Sequence, residues 1–139
     1  MSANRLHVLL VEDNPADADL VEEAFTEANI DCNLFIVRDG AEAIAFLDQL
    51  DADLFRLCPD LILLDLNLPK ASGGAVLERI RLSPKCREVK VLIISSSDAP
   101  ADRKRAMELG ASEYFHKPSS LERFMEFGPK IRLLLEGSK

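Results

Sequence analysis

Short, nearly continuous apolar runs alternate with stretches of helical period along the whole chain, and each run ends abruptly in polar residues. The runs are Leu6–Val11, 33–38 (NLFIVR), Leu61–Leu64, Val89–Ile94 and 112–116 (SEYFH). The first, Leu6–Val11, is nearly continuous and apolar, the mark of a strand buried on both faces; Leu61–Leu64 is the most hydrophobic and is placed centrally, and the others read as further strands. Between them lie helices. Asn14-Pro15 opens the first, with Asn14 as N-cap and Pro15 at the first position. Leu20, Val21, Ala24 and Phe25 follow at helical spacing. Ala41–Leu50 is the second helix, and Asp51–Pro59 reads as a loop or frayed end. A third helix carries Val76, Leu77 and Ile80 and ends at Ser83-Pro84. Pro100–Leu109 is stopped by Gly110, and the last helix starts at Ser119. Five βα units dictate an α/β parallel sheet with helices on both faces.

Such sheets bind ligands beyond the carboxyl ends of their strands. The residues expected at that edge are Glu12 and Asp13 after the first strand, Asp65 and Asn67 after the third, Ser95 after the fourth and Lys117 after the fifth. Any one of them has an ordinary loop or capping explanation. Their shared edge is what singles them out. Carboxylates packed together repel, and one takes up a proton unless a cation intervenes. A hard divalent ion suits this donor set. Mg²⁺ uses one or two carboxylates, keeps several waters and shares the rest with phosphate oxygens. Lys117 then offers a point charge, and Ser95 a hydroxyl donor, to an incoming anion.

The motifs at these positions are V-E-D-N (Val11–Asn14), L-L-D-L-N-L-P (Leu63–Pro69), L-I-I-S-S (Leu92–Ser96) and Y-F-H-K-P (Tyr114–Pro118). Together they resemble the receiver domain of two-component response regulators, from about Leu6 to Leu135. The resemblance implies a flavodoxin-like (βα)5 fold with strand order 2-1-3-4-5. It implies that Asp65 accepts a phosphoryl group from a phosphohistidine of a sensor histidine kinase. Glu12, Asp13, Asp65 and the backbone carbonyl of Asn67 would hold Mg²⁺. Ser95 and Lys117 would contact the phosphoryl oxygens, Lys117-Pro118 would be cis, and Tyr114 would be the switch aromatic. Gly73 matches the glycine after the phosphoacceptor. Ser72 stands where an acid is common, and Ser95 where Thr is common. The long second-to-third strand stretch, Asn14 with Asp17, and D-L-N-L-P look similar to regulators paired with phytochrome kinases.

A hydrolase of the haloacid-dehalogenase type also uses a strand-end Asp, but it wants a second Asp two residues on. Here that position is Asn67, which cannot shuttle a proton. A signalling phosphoacceptor, not an enzyme with turnover, is therefore expected. No Gly-rich loop follows a strand, so a nucleotide-binding reading fails.

The 139 residues fit one domain. A single receiver spanning 1–139 is expected, with no output domain, acting on a separate downstream protein. The net charge of −7 disfavours nucleic acid or anionic lipid as partners. No signal peptide or membrane span is evident. Cys32, Cys58 and Cys86 are sparse and odd in number, pointing to a reducing cytoplasm and to packing or surface roles. Gly128-Pro129 should kink or restart the last helix. Beyond it Ile131, Leu133, Leu134 and Leu135 cannot all face inward, and some are candidates for a homodimer seam with the fourth helix and fifth strand. His7 is expected within the sheet, and His116 has no metal-ligand partner in the sequence.

Overall fold

The computed structural model describes residues 5–136 with the exception of 69, 71 and 119. Pro69 of the third-strand motif and the expected helix start at Ser119 lie outside the described residues. The elements are β1 (Leu6–Val11), α1 (Pro15–Glu27), β2 (Cys32–Val37), α2 (Gly40–Ala52), β3 (Leu61–Asp65), α3 (Gly73–Leu82), β4 (Lys90–Ser95), α4 (Pro100–Glu108), β5 (Glu113–His116), α5 (Leu121–Phe124) and α6 (Phe127–Glu136). The strands form one parallel sheet in the order β2-β1-β3-β4-β5. This is the flavodoxin-like arrangement expected.

Side chains along a strand alternate between faces, so the sheet divides two cores. Leu9, Val11, Ile62, Leu64, Val91 and Ile93 pack with residues of α2 and α3 such as Leu47, Leu50, Leu77 and Ile80. Val8, Leu10, Leu61, Leu63, Leu92 and Ile94 pack with Val21 and Phe25 of α1, Phe124 of α5, and Phe127 and Ile131 of α6. The central strand β3 is buried at every position, as its uninterrupted apolar run requires.

The helix starts follow local chemistry. The Asn14 side chain accepts from the amides of Ala16 and Asp17, and Asp39 caps α2 through Glu42 N–H. Ser72, in place of the commoner acid, caps α3 by accepting from Ala75 N–H. The last helix breaks earlier than Gly128-Pro129 suggests. It stops after Phe124 and restarts at Phe127, placing Pro129 in the first turn of α6, where a missing N–H costs nothing. Gly128 is needed there: a Cβ at this position would lie 2.6 Å from the Ala24 carbonyl oxygen of α1.

Three expectations are corrected. Cys58 and Cys86 are not independent packing or surface residues. They form a disulfide with a Cα–Cα distance of 5.5 Å. Parallel crossovers bring the α2–β3 loop and the α3–β4 turn to the same end of the sheet, which spacing along the chain does not reveal. The Lys117–Pro118 bond is trans, since no cis peptide occurs among the described residues. The two isomers of an X–Pro bond differ little in energy, with trans slightly favoured. The third concerns the last helix, which breaks before Gly128-Pro129, as described above; His7 lies in β1 as expected, on an exposed position where its ring meets Asn33 at 3.4 Å.

Candidate functional site

At the carboxyl edge of the sheet, β1, β3 and β5 deliver their following residues to one point. Glu12 is fully buried and Asp65 is 4% exposed, while Asp13 faces solvent. Carboxylate oxygens of Glu12, Asp13 and Asp65 all lie within 4.8 Å of one another. The Lys117 ammonium donates to Glu12 Oε1 at 2.8 Å, to Asp65 Oδ2 at 3.1 Å and to Asp17 Oδ2 at 2.8 Å. An ammonium has three protons, so each has a carboxylate partner.

Burial pushes the Glu12 carboxyl up to about 7. The Lys117 hydrogen bond works against that rise, and the charge of Asp65 adds to it. Burial alone would make Lys117 less basic, but its bonds to Asp17 and Glu12 and the charge of Asp65 raise its pKa above the ordinary value. The lysine is therefore held firmly charged, while the acids outnumber it. An anionic cluster of hard oxygen donors, one of them reluctant to ionise without a cation, fits a divalent metal ion.

The backbone braces the acids. Asn67 N–H donates to Asp65 Oδ1 at 3.0 Å, and Asn14 N–H to Glu12 Oε2 at 3.2 Å. Gly73 lets α3 start against the Asp65–Leu66 backbone. Its N–H donates to the Leu66 carbonyl at 3.0 Å, and a Cβ there would sit 2.5 Å from the Asp65 carbonyl oxygen. Lys70, on the same loop, has φ +68 and lies 3.8 Å from Asp39.

Ser95 ends β4 and is fully buried. Its hydroxyl accepts from Ser97 N–H at 3.1 Å, and its carbonyl accepts from Lys117 N–H at 2.7 Å. Tyr114 is 3% exposed and points inward, its hydroxyl donating to the Ser97 carbonyl at 2.9 Å. The Arg103 guanidinium lies over its ring, 5.6 Å from the centroid. Asn67 is exposed at the mouth. His116 stands outside, its Nε2 3.1 Å from the Ser96 carbonyl.

Glu12, Asp13, Asp65, Asn67, Ser95, Tyr114 and Lys117 thus gather at or beside one edge. The partner that sequence reasoning missed is Asp17. It stands in the first turn of α1, and that position brings it within 2.8 Å of the Lys117 ammonium.

An open parallel sheet in this order, with an acidic cluster and a lysine beyond its carboxyl edge, defines the receiver class of signalling domains. The Response regulator receiver domain family matches residues 8–127, and the chain belongs to that family. Response regulator Rcp1 of Synechocystis sp. is 40% identical over 115 residues, which are 83% of this chain and 78% of that protein. The crystal structure of the phosphorylated cyanobacterial phytochrome response regulator RcpA aligns with a TM-score of 0.84 at 34% identity, covering 97% of this chain and 96% of that one. The Mn²⁺-bound form of Rcp1 gives a TM-score of 0.81 at 37% identity, covering 92% of each chain.

Proposed function

We propose that Asp65 is the phosphoacceptor of a phosphorelay, taking a phosphoryl group from the phosphohistidine of a sensor histidine kinase. The observation that carries this reading is the pair of buried carboxylates, Glu12 and Asp65, closed around the Lys117 ammonium. Phosphoryl transfer needs alignment and charge stabilisation more than covalent help. One Asp65 oxygen is fixed by Asn67 N–H, which leaves the other, on Lys117, to be aimed at an incoming phosphorus. Lys117 then follows the charge onto the phosphoryl oxygens. Ser95 donates its hydroxyl to the same group once it rotates away from Ser97 N–H. Glu12, Asp13 and Asp65, with the Asn67 carbonyl, would hold Mg²⁺, which supplies charge neutralisation for the transferring phosphoryl group.

The product is an acyl phosphate on Asp65. Asn67 cannot act as a general acid or base, so the chain acts as a signal carrier with slow self-dephosphorylation, not as an enzyme with turnover. Ser95 and Tyr114 form the switch. Their movement alters the face made by α4, β5 and the α5–α6 segment, to which a separate downstream protein binds. We read residues 1–139 as one receiver working in the cytoplasm, where kinase and Mg²⁺ meet. The similarity to Rcp1 and RcpA favours a phytochrome-type kinase as donor. The same face, with the C-terminal leucines, is the candidate homodimer seam.

Incubation with acetyl phosphate and Mg²⁺ followed by intact mass tests the central claim. One phosphoryl adduct is expected on the wild type and none on Asp65→Asn. An unmodified wild type, or an adduct that survives the substitution, would overturn it.

A further inference from the structure

The disulfide is part of a larger grip. The α3–β4 turn and the end of α3 hold the segment that leaves α2. Arg79 bridges Asp48 and Asp51 at 2.9 and 2.8 Å, and Ser83 Oγ donates to Asp51 at 2.7 Å. The Lys85 ammonium takes the carbonyls of Leu50 at 2.8 Å, of Arg56 at 2.6 Å and of Asp53. These bonds reach no further than Arg56. Beyond it the Cys58–Cys86 bond ties down the loop, whose outer side carries Leu54, Phe55 and Leu57, each at least 86% exposed.

The two sulfurs differ in access. Cys86 is fully buried. Cys58 is partly exposed and sits on the wall of two cavities, of about 540 and 480 Å³. The second is lined by Lys85 and Lys90 together with Asp60 and Glu88. Its charges balance, so access rather than charge selects the sulfur that is attacked. The segment enclosed by the bond holds β3, Asp65 and α3.

We propose that Cys58–Cys86 is a reversible thiol–disulfide exchange site that takes a dithiol reductant at Cys58, and that its oxidation state sets how tightly the 53–58 loop is held. A thiolate of the dithiol attacks Cys58 Sγ. The bond to Cys86 breaks, and Cys86 leaves with the electron pair and takes a proton. The dithiol's second thiolate then attacks its own sulfur in the mixed disulfide. Cys58 leaves and is protonated in turn. The dithiol is oxidised to a disulfide, and the protein disulfide is reduced to two thiols.

The test uses the full chain carrying Cys32→Ser, which removes the free thiol, equilibrated in mixtures of reduced and oxidised dithiothreitol. Iodoacetamide labelling with peptide mapping reads the thiols, and brief trypsin digestion reads the loop through cleavage after the exposed Arg56. Oxidised protein should yield a linked 58–86 peptide pair and no label on either cysteine. Reduced protein should take two labels and be cleaved after Arg56 roughly tenfold faster, reversibly. A Cys58→Ser variant should show the fast cleavage with or without reductant, which separates loss of the bond from any general effect of the reductant. Two free, labelled thiols after oxidation would overturn the proposal. So would cleavage after Arg56 that ignores the redox state.

Discussion

Lys117 has a carboxylate for each of its protons, and that saturation has consequences at the scale of single residues. A metal ion at Glu12, Asp13 and Asp65 and a phosphoryl group on Asp65 would claim two of its three partners. Asp17 is the one that neither claims. It keeps a competing negative charge beside the place where an anion must arrive. Asp17→Asn should therefore lower the acetyl phosphate concentration for half-maximal phosphorylation by a few-fold, equivalent to about 1 kcal/mol. Phosphorylation time courses at several donor concentrations would show it, and an unchanged or higher value would count against competition. Glu12 gives a second expectation. Its carboxyl titrates near 7 because it is buried, and a divalent cation binds its ionised form. Below that pH a proton competes with the metal, so Mg²⁺ affinity should climb as pH rises through about 7 and then level off. Calorimetric titration at pH values on either side would reveal the change. Asp65, Glu12, Asp13, Ser95 and Lys117 were legible in the sequence because each follows an apolar run at one sheet edge. Asp17 was not, because its role depends on which way the first turn of α1 faces.

At the scale of elements, the strands were the most legible parts, since β3, Val8–Val11 of β1 and Val91–Ile94 of β4 are buried on both faces and carry unbroken apolar runs. The last helix was less so. Gly128-Pro129 signalled an interruption, but the position of the break is set by packing. Phe124 and Phe127 both insert into the core, with ring centroids 6.1 Å apart, and a turn between them serves both. Gly128 then allows α6 to lie against α1. Gly128→Ala should push the two apart and destabilise the fold by about 1–3 kcal/mol, seen as a lower midpoint in thermal or urea unfolding. The disulfide escaped sequence reasoning for a different reason. Cysteine spacing carries information in small secreted frameworks, but here the partners meet only because two crossovers end at the same rim of the sheet.

At the scale of the whole molecule, the two faces of the sheet divide the labour. The α2–α3 side is clasped by Arg79, Ser83, Lys85 and the disulfide, whereas the opposite side ends in α6, where Ile131 is buried and Leu133 is 70% exposed. Phe127 is buried beside Ile131, and Leu134 and Leu135 pack partly against the same core. Leu134→Asp with Leu135→Asp should halve the mass measured by light scattering if those residues form the homodimer seam. A mass unchanged from wild type would exclude that seam.

Ser97 touches both residues of the proposed switch, Ser95 and Tyr114, through one peptide unit and its neighbour. Its N–H is held by the Ser95 hydroxyl, and its carbonyl receives the Tyr114 hydroxyl. Any rotation of Ser95 frees the amide, and any departure of Tyr114 frees the carbonyl. Two backbone resonances, the Ser97 amide nitrogen for the first event and the Ser97 carbonyl carbon for the second, followed by NMR on ¹⁵N,¹³C-labelled protein, would thus register both. The order in which the nitrogen and carbonyl shifts change would tell which member moves first.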